Sequence, residues 1–502
     1  MIGTRADGTR GYLPSSSPKS RAVAIILQQP LRLIHCVAAA TLLAGCAVGP
    51  PYKRPAAELP SAWQGVPAQG VIAAGERWWT LYGDPVLDRL VEEARAHNQD
   101  LALATARVDE ARALLQVSDS ARMPSVDAGF QGDRSRRSER TSTPFPPGTP
   151  LETTNYRAQL NVAYEVDLWG RLSSATRAAR AGLLATEAAR ETVRITLVTE
   201  VVRGYFSLLA LDAQVAATDR ALGLRNDGLE LQRVRANAGL SNDFDLRQLE
   251  AEVAAAQAQL PVLRQNRTAQ ELALAVLAGR SPRAITEDAV ARRAEQGEPQ
   301  PPVVPEGLPS DLLLRRPDIV EAEQRLIAAD ARIAEARASL FPRISLTGFL
   351  GSESAALGNL FSGPATIWSL AFALAQPIFQ GGRLLAEIEA VKARERQALA
   401  QYQKTLQQAF SEVRQALTTQ VRARETFDAE STRAGALSEA LRLARIRYEN
   451  GLISQLEVID AERNLLQAEL NRADALRAQR AAVADIVKAL GGGWQGFDPH
   501  GA

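Results

Sequence analysis

Two periodicities alternate along this chain. From Arg171 to about Asn237, and again from Arg383 to about Asn450, apolar residues recur every three or four positions with no intervening proline. Val198, Val201, Tyr205 and Leu208 mark the first run; Leu399, Tyr402, Leu406, Ala409 and Val413 mark the second. Such steps predict helices with the narrow apolar seam of coiled-coil packing. At ~1.5 Å per residue each would be about 100 Å long. Gly239 and Gly451 follow, where a C-terminal cap would turn the chain. The first returning helix carries Leu246, Leu249, Val253, Ala256, Leu260 and Leu263 at the same steps, and Pro261 predicts a kink in it. Ahead of each long run the period drops to two. In "NYRAQLNVAYEVDLW" the residues Tyr156, Ala158, Leu160, Val162, Tyr164, Val166 and Leu168 alternate with mostly polar neighbours, which predicts a strand with one apolar and one polar face. "SVDAGFQ" repeats this with Val126, Ala128 and Phe130, and Trp368, Leu370, Phe372 and Leu374 share a face opposite Ser369, Ala371 and Ala373.

The order of these elements occurs twice. Gly170-Arg171 and Gly382-Arg383, Gly239 and Gly451, and Gly279 and Gly491 are all 212 positions apart. An internal repeat of this kind means two copies of one structural unit. Each copy opens with a helical stretch ("DLALATARVDEARALLQV", "DIVEAEQRLIAADARIAEARASL") that a proline ends, Pro124 or Pro342. Those prolines are 218 apart, so the first copy holds six extra residues between Pro124 and Gly170. The polar "SRRSERTSTPFPPGTPLETT" reads as the loop that contains them. The expected organisation is residues 1–45 a signal peptide, 46–75 an extended N-terminal segment and 76–296 the first repeat. A Pro-rich connector at 297–317 leads to the second repeat, 318–491, and a tail, 492–502. The strand hairpins fall at about 124–168 and 342–379, and the helical hairpins at about 171–279 and 383–490. Aromatic residues make up 5% of the chain and alanine is abundant, which favours thin-walled helical packing over a thick core.

Composition narrows the chemistry. The run Leu33–Leu43 is too short to span a bilayer, and with Arg21 and Arg32 upstream it has the layout of a secretory signal. Leu43-Ala44-Gly45-Cys46 resembles the bacterial lipobox. That resemblance implies cleavage before Cys46, covalent lipid on its thiol and, with Ala47 rather than Asp next, export to the outer membrane. Cys36 would leave with the signal, so disulfide and thiol chemistry fall away. Histidine is nearly as sparse, and neither a metal-ligand cluster, a phosphate loop nor a nucleophile elbow is present. No cofactor, metal or enzymatic activity is expected, and a net charge of +1 gives no pull toward nucleic acid.

Four strands cannot close a transmembrane barrel, which needs about eight. Open edges in lipid would leave backbone groups unpaired, so several chains must share one barrel unless the strands lie in water. "LAGC", "GPPYKRP", "WWTLYGDPVLDRLVEEARAHNQDL", "YEVDLWGR", "GLPSDLLLRRPDIVEAEQRLIAADARIAEARASLFPRISLTG", "QPIFQGGR" and "NGLISQLEVIDAERNLLQAEL" occur in order from Cys46 to about Gly491. In these words the chain resembles the TolC-type outer-membrane channel proteins, in their OprM/NodT-like lipoprotein branch. The resemblance implies an α+β membrane protein that forms a homotrimer. Four strands per chain would make a shared twelve-stranded barrel, continued by a long periplasmic helical barrel. It implies a passive exit duct for small molecules, lipid-anchored in the cell outer membrane. Its partners would be a periplasmic membrane-fusion adaptor, an inner-membrane RND-type pump and outer-membrane lipid. The same duct could serve metal-ion efflux or type I protein secretion. A soluble periplasmic coiled-coil scaffold is the reading from another class.

The resemblance also places a periplasmic aperture after the second turn, at Tyr448, Leu456, Glu457 and Asp460, and adaptor contacts at the tips marked by Gly239 and Gly451. Leu456, Glu457 and Asp460 cluster on one side of a helix. Threefold symmetry would gather three Asp460 carboxylates beside a leucine constriction, an arrangement that selects cations, gates by dewetting and responds to pH. The residues alone read more readily as a solvated helix with Asp460 paired to Arg463. The first copy has Phe244, Asp245 and Gln248 at the matching positions. The arginine that some TolC-like proteins use as an aperture tether is Ile453 here, which removes the tether expected on Tyr448 and favours closure by Leu456 and Asp460.

Overall fold

The computed structural model describes residues 52–56, 77–140, 142, 146, 148–240, 242–287, 289–292 and 316–494. Cys46 and the signal segment lie outside them, as do most of 46–75, nearly all of the connector and the tail beyond 494. Helices α1 (Pro85–His97) and α2 (Gln99–Ser120) lead into strands β1 (Ser125–Arg136) and β2 (Glu152–Val166). The helical hairpin α3 (Arg171–Asn237) and α4 (Asp243–Leu277) follows, with a short α5 (Pro282–Glu287). The second copy runs α6 (Pro317–Ala338), β3 (Arg343–Ser354), β4 (Thr366–Ala375), α7 (Arg383–Glu449) and α8 (Gln455–Ala489). Both long helices have 67 residues. Pro261 does not end α4, which runs continuously through it. A proline removes one backbone hydrogen bond, and buried Val253, Ala256 and Leu260 hold the helix on its N-terminal side.

The chain divides into two compact units. One comprises residues 119–175 and 332–388 and contains the four-stranded antiparallel sheet, in the order β1-β2-β3-β4. Its register aligns Val126 with Val162, Phe130 with Ala158, Leu160 with Leu350, Leu346 with Phe372 and Leu350 with Trp368. Because side chains alternate, this register brings the main apolar columns of the four strands to one face, with Phe349 and Ile367 on the other. Trp368, Leu370 and Phe372 on that face are 74–80% exposed. Gly351 lets β2 and β3 approach closely, since a Cβ there would lie 2.2 Å from the Ala158 carbonyl oxygen. The β1–β2 loop exceeds the β3–β4 loop by only four residues; β2 is five residues longer than β4, and the junction to the long helix that follows is three shorter, which together give the first copy's six extra residues.

The other unit packs the remaining helices around a core thicker than the low aromatic content suggests. The buried aromatics among the described residues all lie here, Trp78, Trp79, Tyr82, Tyr205, Phe206 and Tyr402, packed with leucines and valines from α1, α3, α4, α7 and α8. Asp84 caps α1 through Val86 N–H (2.9 Å), and its second oxygen accepts from the Tyr205 hydroxyl (2.9 Å). Residues 52–56 lie on this unit through Arg54, whose guanidinium is bidentate to the Glu323 carboxylate, both bonds 2.6 Å. Burial, with Glu323 nearby, pushes the neighbouring Tyr52 phenol up to about 12. Arg316, at the connector's far end, is buried between Asp318 and Glu412 (each 2.7 Å) and donates to the Ala489 carbonyl.

Candidate functional site

Two places are the candidates for function: the faces of the sheet and the tips of the helical hairpins. On the sheet, Tyr156 to Val166 on β2 spans ten residue steps, about 33 Å along the strand. Tilted by ~40°, that gives an apolar band about 25 Å tall, the height of the apolar band on outer-membrane barrels. The opposite face is polar. Glu353 accepts from Asn155 Nδ2 (2.6 Å) and from Arg157 Nε (2.9 Å), and Gln159 Nε2 donates to Asn161 Oδ1 (2.8 Å). A sheet with one face matched to lipid and the other to water can form the wall of an aqueous channel. β1 and β4 pair on one side only among the described residues, leaving both edges with unmatched backbone groups. No helix among the described residues is long and apolar enough to cross a membrane.

At the tips both copies turn in the same way. Gly239 (φ 71°) donates to Ala236 O while Leu240 N–H reaches back to Arg235 O; Gly451 (φ 72°) and Leu452 do the same with Tyr448 O and Arg447 O. This is a glycine-closed helix end, and both tips leave the glycine in open space. The next helices start from caps: Asn242 accepts from Asp245 N–H, and Ser454 and Glu457 form a reciprocal capping box. Glu457 therefore holds the start of α8.

Beyond the turn, α8 presents two sides. Ile459 is buried with Leu229, Leu249 and Val253, packing α8 on α3 and α4 of the first hairpin. Leu456 and Asp460 are not part of that contact: Leu456 is 42% exposed and the Asp460 side chain 46%. Asp460 pairs with Arg463 at 2.5 Å. Arg463 also lies 3.8 Å from Glu252 on α4, and Glu252 is paired at 3.3 Å with the buried Arg225 on α3. A chain of ion pairs thus links Asp460 to the first hairpin.

Tyr448 does have an arginine partner, though not at position 453. Its hydroxyl accepts from Arg235 Nη1 at 2.6 Å, and the same guanidinium lies 5.4 Å from its ring centroid. The partner comes from the other copy, at the end of α3, so the loss of an arginine at Ile453 does not remove it. Sequence reading missed Arg235, Arg225 and Glu252. The one available signal was that Arg235 and Arg447 share the 212-residue offset, and nothing in the sequence says which of them meets Tyr448.

The comparisons agree with this geometry. The family model described as Outer membrane efflux protein matches residues 90–280 and 308–492, one span in each copy. The solvent efflux pump outer membrane protein SrpC of Pseudomonas putida is 35% identical over 462 residues, covering 90% of this chain and 96% of that one. The cation efflux system protein CusC of Escherichia coli O6:H1 is 32% identical over 476 residues, covering 93% and 99%. The crystal structure of the CmeC outer membrane channel of Campylobacter jejuni superposes with a TM-score of 0.85 at 25% identity, covering 90% of this chain and 96% of that one. With two repeats, a sheet of lipid-matched height and the family match spanning both copies, the chain belongs to the outer membrane efflux protein family.

Proposed function

We propose that three copies of this chain close one twelve-stranded barrel in the outer membrane, continued by a periplasmic helical barrel, and that the assembly is a passive exit duct. The observation that carries this reading is the four-stranded sheet, with one face carrying a tall apolar band and, among the described residues, two open edges. In lipid each unpaired backbone group costs several kcal/mol, and a neighbour's β1 against this chain's β4 removes both edges. Energy would come from an inner-membrane RND-type pump, through a periplasmic adaptor meeting the tips at Gly239 and Gly451. Lipid on Cys46 would be a second, weaker anchor. The relatives are named for solvent and for cation efflux. Small organic molecules are the cargo we favour, with metal ions or a secreted protein as alternatives. Leu456 and Asp460, the exposed side of α8, form the aperture, and Arg235–Tyr448 holds the second tip against the first.

Leu370→Arg places a charge on the apolar face and costs roughly 2–4 kcal/mol at a bilayer midplane. Ser369→Arg, one residue away on the polar face, costs little. The heat-resistant trimer on gels, with its mass in detergent, should be lost in the first variant and kept in the second. Equal tolerance of both would remove the sheet from the membrane.

A further inference from the structure

On β1 the outward column runs Val126, Ala128, Phe130 and Gly132, then Arg134 and Arg136. The Tyr156 ring covers Gly132, 3.3 Å from where a Cβ would stand, so an aromatic marks the band's edge just before the arginines begin. Both arginine side chains are well exposed, 75% and 67%. They lie on the side of the sheet that carries the greasy residues, not on the polar side. Alternate residues of a strand are about 7 Å apart, so the two forks reach a common phosphate or a pair of them. Arg137 N–H donates to Leu151 O (2.8 Å) and extends the ladder past the rim, and Arg140 follows, exposed. Two carboxylates temper this cluster: Glu152 lies 2.9 Å from Arg134, and Glu139 lies 3.6 Å from Arg136. Arg140 adds a further positive charge at the same end of the strand. The opposite rim of the same face ends in Val126, Val166, Ile344 and Leu374, without a charged residue among them.

The arginines sit at the end where both strand hairpins close, away from the strand ends that join helices. Longer hairpin loops face the exterior in outer-membrane barrels. We propose that Arg134 and Arg136 form a binding site for the phosphate headgroup of an anionic outer-leaflet lipid, fixing the depth of the barrel at its outer rim. The position selects a lipid over a free anion, because the forks face the lipid side at the level where the apolar band stops. Bidentate guanidinium–phosphate pairing supplies the specificity.

The inference rests on the reading that the apolar face meets lipid, and that reading is tested separately. In bilayers containing brominated lipid, wild-type tryptophan fluorescence should be quenched, and Trp368→Phe should remove most of the quenching. The site itself is tested with the full-length assembly in phosphatidylcholine nanodiscs doped with diphosphorylated or dephosphorylated lipid A, counting retained glycolipid by native mass spectrometry. Wild type should retain the diphosphorylated form selectively, and Arg134→Gln with Arg136→Gln should lower retention about 30-fold. Glu152→Gln removes a competing carboxylate and should raise retention, an outcome that stays readable if the double variant folds poorly. Millimolar inorganic phosphate should not displace the lipid. Equal retention of both glycolipids, an unaffected double variant, no rise in Glu152→Gln, or displacement by free phosphate would each overturn the site. Intact quenching alongside such a result would leave the barrel reading standing.

Discussion

Gly279→Ala is expected to prevent accumulation of folded protein, while Gly239→Ala and Gly451→Ala leave it folded. All three glycines share nearly the same left-handed backbone, φ 71°, 71° and 72°. The conformational penalty of a Cβ is therefore common to them, about 1–2 kcal/mol. What differs is the space around them. At the two tips nothing lies within 4 Å of the added carbon. At Gly279 it would stand 2.1 Å from the His97 carbonyl oxygen and 2.9 Å from Asn98 N. That backbone has little room to move. Asn98 donates through Nδ2 to Leu277 O (3.0 Å) and accepts from Leu101 N–H (3.0 Å) through its side-chain oxygen, pinning the α1–α2 junction to the end of α4. Leu90, Ala94, Leu274, Ala275 and Ala278 pack the same joint into the core. Relief requires opening that joint, at a cost of at least about 4 kcal/mol, a large share of a domain's stability. The repeat counterpart Gly491 is a control: its Cβ would meet Arg316 Cα at 3.5 Å, ordinary contact, so Gly491→Ala should behave like the tip variants. Thermal melts by circular dichroism and the yield of heat-resistant trimer read the difference. A melting temperature for Gly279→Ala equal to that of Gly239→Ala would disprove the close-approach account.

The contrast between Gly279 and Gly491 also shows what a sequence can and cannot carry. Their shared offset of 212 revealed the repeat, and through it both long helices and the order of strands and turns. Periodicity reports which side of an element is apolar, so the lipid-facing columns of β2 and β4 were legible from Tyr156–Val166 and Trp368–Leu374 alone. It does not report which elements meet. The core at Trp79, Tyr205 and Tyr402 draws one aromatic each from segments far apart in the chain, and a low overall aromatic content conceals that concentration. The same limit applied at the tips. Leu456 and Asp460 were readable as one helical side, but the link from Arg235 to Tyr448 joins residues 213 apart. Neither carries a local signature, because an arginine near a helix end is favourable with or without a partner. Glu457 has a local partner that the sequence does spell out, a capping box with Ser454 three residues earlier.

Leu456→Ala should raise the single-channel conductance of the reconstituted duct in its resting state. In the proposed trimer three Leu456 side chains meet at the axis, and burying each on closure is worth roughly 1.5–3 kcal/mol. Truncating them widens the constriction and moves the closed–open balance by a factor of ten or more. Tyr448→Phe is the complementary test, since it removes one hydrogen bond and little volume. A bond from a charged donor contributes about 1.5–3 kcal/mol, so releasing the second tip from Arg235 should shift the balance about tenfold per protomer. Asp460→Ala should also raise conductance, while lowering cation selectivity because a ring of carboxylates is lost. The pair with Arg463 offers a competing account, in which Asp460 acts only by steering that arginine toward or away from Glu252. Arg463→Ala separates the two: it frees the Asp460 ring and should increase cation selectivity, opposite in sign to Asp460→Ala. Identical effects of both variants would reduce Asp460 to a partner of Arg463. Phe244→Ala, at the first copy's equivalent of Leu456, should leave conductance unchanged, because the proposed aperture uses the second tip alone. A rise equal to that of Leu456→Ala would place both hairpins at the axis and defeat the asymmetric gate.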